Sequence, residues 1–358
     1  MQSADFPIYK TKRAGLSQFF DLNSPDGRKK YFEAKVGSDV KNIQKYLEKK
    51  GAFVAFLMGK KNSGKGTYAK LFMEIVGSDH VSHLSIGDII RDAHKALEDK
   101  AERQKVIDFL SKEYRGFHGL QEVEDSILNR GTVQLISSEL TLALIKWEMS
   151  KRPRQALFID GFPRALNQIQ YALFLKEILG YQKHPDFFVF INIPERVIDE
   201  RIKYRVICPI CKTPRSTKLL ATSEAGYDEK AQTFYLMCDN PTCNKARMVA
   251  KEGDERGIES FRDRLMLDDQ ITKQLLELRG VPKVFLRNAV PIQTAAEYID
   301  DYERTPAYSY ELDAATKKVK ILESPWTVKD DDGVESYSLL PPAVVCGLID
   351  KIARTLEL

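Results

Sequence analysis

The residues best suited to chemistry form one short run: Gly59, Lys60, Lys61, Asn62, Ser63, Gly64, Lys65, Gly66 and Thr67. The run follows an apolar stretch, AFVAFLM at 52–58, and precedes a helical pattern that begins after Lys65. Between a strand and a helix, a glycine-punctuated turn lets backbone N–H groups close around phosphate oxygens. The helix start adds the positive end of its dipole, and Lys65 can reach the outer phosphates. The hydroxyl residue Thr67 comes one glycine later than in the general phosphate-loop pattern, so that pattern is not matched letter for letter. Lys60 and Lys61 read as solvated charges or as modest additions to the local field. A Gly/Lys-rich surface turn is the alternative, and the flanking strand and helix argue against it.

A second group is metal-ligating in type. Cys208 and Cys211, then Cys238 and Cys243, stand as two pairs in a polar insert. Four thiolates at turn-compatible spacing suit a tetrahedral structural zinc with no open catalytic position. Four residues, rather than two, separate the members of the second pair. Unmetallated thiols or disulfides are the alternative. The fifth cysteine, Cys346, lies in the apolar pattern AVVCGLIDKIARTL and reads as a small buried hydrophobe.

The elements that must carry these groups are legible as alternation. Short apolar runs at 52–58, 80–85, 155–160, 186–193 and 282–286 read as buried strands, with amphipathic stretches between them. One of these stretches, SSELTLALIKWEM at 137–149, puts Leu140, Ala143, Leu144 and Trp147 on one face, with Ser137 as a cap. The expected fold is an α/β, doubly wound, five-stranded parallel sheet with helices on both faces. Such sheets bind ligands at the carboxyl ends of their strands, where the phosphate loop falls. Residues 1–50 read as an amino-terminal extension with a short helix at 40–51, and 289–358 as a carboxyl-terminal extension. The latter contains a possible hairpin around 305–324 and a terminal helix at 341–356.

Bulk properties exclude some function classes. The 55 basic and 51 acidic residues leave a net charge of +4, which argues against a wholly basic nucleic-acid coat. The first twenty residues carry charges where a signal peptide needs its apolar stretch, and no apolar run approaches the roughly 20 residues needed to cross a bilayer. A cytoplasmic protein, with no membrane partner, is the expectation.

Four ordered segments give the sequence a family resemblance. GKGT at 64–67, LSIGDIIR at 84–91, IDGFPRALNQ at 159–168 and PERVIDERIKYR at 194–205 resemble segments of adenylate kinases, over about 52–288. The resemblance implies a core at 51–288 with a helical monophosphate-binding insert near 86–150 and a lid near 206–256, zinc-stapled as in some members. It implies ATP with magnesium as donor and AMP as acceptor, ADP as product, and a monomer. Arg91 and Arg164 would hold the acceptor phosphate, Arg201 and Arg205 would clamp the donor, and Arg264 would lie near the lid, with Arg262 its neighbouring alternative. Asp88 and Asp160 would order water around magnesium, Gly161 belongs to the same DGFPR signature, Gln168 would read the base, and Asn288 would lie near the donor adenine. Ile86 stands where the family usually has threonine, which removes a hydroxyl near the acceptor base. Acidic residues in KEGDE at 251–255 resemble the family's lid pair, but the alignment slips there.

The chemistry agrees with these residue types. Transfer between two nucleotides gathers many anionic oxygens in line, so catalysis is largely positioning and charge neutralisation by Arg, Lys and magnesium. The alternatives are a kinase for GMP, UMP or CMP, a small-metabolite kinase, or an inactive nucleotide-binding homologue whose zinc ribbon binds nucleic acid. That last reading would draw on Tyr204, Lys212, Arg215, Lys218, Tyr227 and Phe234.

Overall fold

The computed structural model describes residues 6–129, 136–251, 253–254 and 256–358. Helix α1 (Pro25–Glu48) begins where Ser24 accepts the backbone N–H of Gly27 at 3.1 Å, with Pro25 supplying a preset first-turn backbone angle. It is kinked at Val36 and is far longer than the expected helix at 40–51. The core follows as β1 (Val54–Met58), α2 (Lys65–Val76), β2 (Val81–Ser85), α3 (Ile86–Glu98), α4 (Lys100–Glu113), α5 (Leu120–Leu128), α6 (Ser138–Ser150) and β3 (Ala156–Asp160). Next come α7 (Gln168–Leu173), α8 (Leu175–Ile178), β4 (Asp186–Asn192) and α9 (Glu195–Lys203).

Among the described residues, the cysteine-bearing insert holds the short strands β5 (Arg205–Ile207), β6 (Pro214–Ser216), β7 (Ala225–Asp228), β8 (Thr233–Leu236) and β9 (Val249–Ala250). The chain returns through α10 (Arg262–Glu277) to β10 (Lys283–Arg287). It then runs through β11 (Ala289–Pro291), α11 (Ile292–Tyr298), β12 (Pro306–Leu312), β13 (Val319–Pro325), β14 (Val328–Lys329) and β15 (Glu335–Ser338) to α12 (Pro341–Thr355).

The main sheet has the order β10-β4-β1-β3-β2, with every neighbouring pair parallel. All five expected strands are present, with their ends shifted by at most two residues. Residues of β1 alternate between two cores: Ala55 and Leu57 join one, and Val54, Phe56 and Met58 the other. Burial on both faces is why these strands read as continuous apolar runs. The first core packs α1, α2 and α12 against the sheet, and the second packs α3 to α6 against the opposite face.

The helix expected at 40–51 is only the last part of α1, which belongs to the core. Phe32, Val36, Val40, Ile43 and Leu47 are buried in the first core beside Val344, Leu348 and Ile352 of α12. Burying a side chain of this kind contributes roughly 1.5–3 kcal/mol. The segment around 305–324 is a hairpin, β12 paired antiparallel with β13, and α12 occupies the expected terminal position. Among the described residues, no helix is long and apolar enough to cross a membrane.

Candidate active site

Backbone shape at the β1–α2 turn follows from its glycines. Gly64 caps α2 in the left-handed region (φ 98°), and a Cβ on Gly59 would stand 2.8 Å from the Ile191 carbonyl oxygen. Only glycine fits both places. Lys65 Nζ donates to the carbonyls of Gly59 at 2.8 Å and Lys60 at 3.0 Å, and lies 3.9 Å from Asp160 Oδ1. Burial lowers its pKa, against the opposing fields of Asp160 and Asp268. Burial works the other way on Asp160, yet His83, Lys65 and Arg164 outweigh it and hold the carboxyl below its usual range.

Lys60 is held by carboxylates and is not the solvated charge expected, whereas Lys61 stays exposed. Lys60 Nζ meets Glu195 Oε1 at 2.8 Å and Asp331 Oδ2 at 3.5 Å. Lys61 Nζ sits 3.3 Å above the Phe261 ring. Its pKa is pushed down to about 8 by desolvation, with Lys251 and Arg205 adding repulsion.

Two cavities open on this turn. One, of about 320 Å³, is lined by Lys65, Asp160, Gly161, Arg164, Arg264 and Asp268 among others. The second, of about 500 Å³, is lined by the loop from Asn62 to Tyr68, by Arg201 and Arg205, and by Ser216, Leu219, Leu220, Thr305, Leu340 and Pro341. Asn62, Lys65 and Asp160 border both. The two spaces therefore meet at the loop lysine.

Most of the arginines expected at the site converge here. Arg264 donates to the Arg164 carbonyl at 3.1 Å and to Asp268 Oδ1 at 2.7 Å. Arg164 has a lowered pKa, from burial first and then from Arg264 beside it. Arg201 is half-buried against the Tyr68 hydroxyl, and desolvation lowers its pKa too. Arg205 grips Asp254 through two bonds of 2.6 and 2.7 Å and donates to Asn62 Oδ1 at 3.3 Å, linking the insert to the loop. Arg262 instead faces Glu259 and Glu195, so Arg264 is the arginine that reaches the cavity. Arg91 is exposed and paired with Asp88, and lines neither cavity, although its charge is felt at Arg164.

Some expected residues sit elsewhere. Asn288 is fully buried, and its amide is spent inside the protein: Nδ2 donates to the Tyr68 hydroxyl at 3.2 Å and the Leu339 carbonyl at 3.0 Å, and Oδ1 accepts from Ser338 at 2.7 Å. It braces α2 against the terminal segment and lines neither cavity, while its partner Tyr68 lines the larger one. Ile86 is buried in the second core, where an aliphatic side chain is well placed. Gln168 is buried and accepts the Arg164 N–H at 2.7 Å, fixing the turn that carries this arginine.

Sequence reasoning missed Asp268, whose pKa burial raises despite the adjacent Arg264. The i,i+4 spacing from Arg264 on α10 was an available signal. It also left Asp254 unassigned, although that residue is the carboxylate partner of Arg205; Glu252 and Glu255 of the same segment lie outside the described residues.

No family model matches the chain. Curated relatives do. The adenylate kinase of Thermotoga petrophila is 31% identical over 219 residues, covering 61% of this chain and 81% of the relative. The chain belongs to the adenylate kinase family. The adenylate kinases of Mycoplasma mobile (28% over 222 residues, 82% of that protein) and an Anaeromyxobacter species (29% over 224 residues, 90% of that protein) agree. Most of an adenylate kinase thus has a counterpart here, within about three fifths of this chain.

In this member of the adenylate kinase family, the cysteine insert presents a credible metal cage. The sulfurs of Cys208, Cys211, Cys238 and Cys243 all lie within 4.8 Å of one another, with Cys211 and Cys238 at 3.6 Å. A tetrahedron with metal–sulfur bonds of roughly 2.3 Å has sulfur–sulfur edges of roughly 3.8 Å, so the spacing fits. The longer second loop still delivers Cys243 because Asn240 folds it: its side chain accepts the Thr242 N–H at 3.1 Å and starts a 3-10 turn, Pro241–Cys243. The Thr213 hydroxyl, 3.2 Å from Cys211 Sγ, and the Thr213 backbone lower the Cys211 pKa to about 6, so this thiol favours the thiolate, whereas burial and the neighbouring thiols raise the pKa of Cys243, and that of Cys238 is raised as well.

Proposed function

We propose that the chain catalyses reversible phosphoryl transfer from magnesium ATP to a nucleoside monophosphate, with AMP the preferred acceptor and ADP the product. The observation that carries this reading is the meeting of two arginine-lined cavities at Asn62, Lys65 and Asp160. ATP would occupy the larger cavity, its phosphates on the glycine turn between Lys65, Arg201 and Arg205. The monophosphate would enter the smaller one, under Arg164 and Arg264, with the charge of Arg91 nearby. The γ-phosphoryl group would then pass in line beside Lys65, its charge neutralised by groups already held in place. Asp160, kept ionised by its cationic neighbours, is suited to water-mediated contact with the magnesium of the ATP complex, and Asp88 is a candidate second carboxylate.

Residues 208–243 would hold a structural zinc through Cys208, Cys211, Cys238 and Cys243, stiffening a lid segment with a small apolar core. The nucleic-acid reading is weakened by the use already made of the insert's aromatic residues. Tyr227 packs on Phe234, and Phe234 stacks on Tyr310. A bisubstrate analogue joining two adenosines through a polyphosphate tests the geometry by calorimetry. It should bind with a stoichiometry of one, and Lys65→Ala or Arg164→Ala should each weaken it by at least about tenfold, since each removes a charge-assisted contact. Unchanged affinity in both variants would remove the proposed phosphate roles.

A further inference from the structure

Between β10 and α12 the chain builds a hairpin that lies against the cysteine insert and away from the sheet. The Tyr308 N–H donates to the Lys218 carbonyl at 2.8 Å, and the Tyr310 hydroxyl donates to the Thr217 carbonyl at 2.6 Å. The Tyr310 ring stacks on Phe234 with centroids 5.7 Å apart and packs on the apolar cluster around the cysteines. Lys317, in the hairpin turn, lies 3.6 Å from Glu229.

Both ends of the hairpin are fixed in the body of the protein. Before it, Glu303 is fully buried and accepts from Thr11 at 2.6 Å and from Tyr31. After it, Val328 packs with Val197 and Ile198 of α9, and Asp331 accepts the Glu195 N–H at 2.8 Å. The two carbonyls gripped by the hairpin belong to Thr217 and Lys218. They lie between Ser216 and Leu219, which line the larger cavity, and Thr305 at the hairpin's base lines it as well.

We propose that Tyr310 is a positioning residue for the donor nucleotide: through Thr217 and Phe234 it holds the insert's 216–220 segment against the core, so that one wall of the donor cavity is set by the hairpin. This rests on the phosphoryl-transfer reading above. It assigns the β12–β13 hairpin a function in the reaction, as a strap that limits how far the insert can swing from the phosphate loop. Tyr310 touches no reacting atom. Its effect should fall on ATP and spare the acceptor, whose cavity it does not border.

The test compares Tyr310→Phe, which keeps the ring and loses the hydroxyl, with Tyr310→Ala. Steady-state kinetics would separate KM for ATP from KM for the monophosphate, and hydrogen exchange without nucleotide would follow the amides of 216–220. Tyr310→Phe should raise KM for ATP roughly two- to tenfold, the fold-change expected from one lost hydrogen bond, and Tyr310→Ala further. KM for the monophosphate should stay within about twofold, and the 216–220 amides should exchange faster in both variants. An equal rise in both KM values, or unchanged exchange, would overturn the proposal. Were wild-type protein to transfer phosphate to no monophosphate, the functional reading would fall, and the exchange measurement would still decide whether Tyr310 holds the segment.

Discussion

Lys61 shows how a single charge is conditioned at this site. Its ammonium stands over Phe261 among Lys251, Arg205 and Arg164, and desolvation leads the causes that bring its pKa to about 8. Because the folded-state value lies below the unfolded one, protonation of Lys61 opposes folding below about pH 8, and that penalty fades as pH rises towards the ordinary lysine value. Binding of a phosphate group has the opposite preference, since only the charged form attracts it. Lys61 lines the smaller cavity, so affinity for the monophosphate measured by calorimetry should fall as pH rises through about 8. Lys61→Arg should flatten that dependence because a guanidinium does not titrate in this range. Superimposable pH profiles for the two proteins would contradict this assignment. The sequence could not reveal the effect: the run of lysines is visible, but Phe261 lies 200 residues further along the chain.

At the scale of elements, legibility followed where each side chain finds its partner. The five sheet strands were readable because burial on both faces makes each a continuous apolar run. The same holds for α6, whose cap Ser137 accepts the Leu140 N–H at 3.2 Å as its spacing implied. Helix α1 was mostly missed, although Ser24 followed by Pro25 is a start signal. One reason is Lys35, buried on the inner face and paired with Asp300 at 2.7 Å, which reads as polar until that distant partner is known. Asn288 and Asp254 were obscure for the same reason, their partners being remote in sequence.

Two predictions belong to this scale. Ser24→Ala removes the α1 cap and should cost roughly 1 kcal/mol in a denaturant titration; an unchanged midpoint would show that the cap is dispensable. Zinc should be present at one per chain in freshly purified protein. Cys211→Ser or chelation should lower the melting temperature and speed proteolysis within 208–243, because metal binding and folding of such a module are coupled. Protein purified without zinc and indifferent to chelator would defeat the metal assignment.

Across the whole molecule, the parallel sheet brings residues far apart in sequence to one edge. The glycine turn follows β1, Asp160 ends β3, Arg201 lies on the helix after β4, and Arg264 lies on the helix before β10. Much of this convergence was readable, because ordered motifs at strand ends must meet in a doubly wound sheet. The work of α1 and of the segment after β10 was not readable. One packs the core and the other braces the insert, through contacts that carry no motif. The most direct test of the central claim is a coupled assay supplying magnesium ATP with AMP, GMP, UMP or CMP in turn. The arrangement predicts ATP-dependent ADP formation with AMP at the highest kcat/KM, lost by at least about two orders of magnitude in Lys65→Ala. Consumption of ATP with none of the four monophosphates would contradict it.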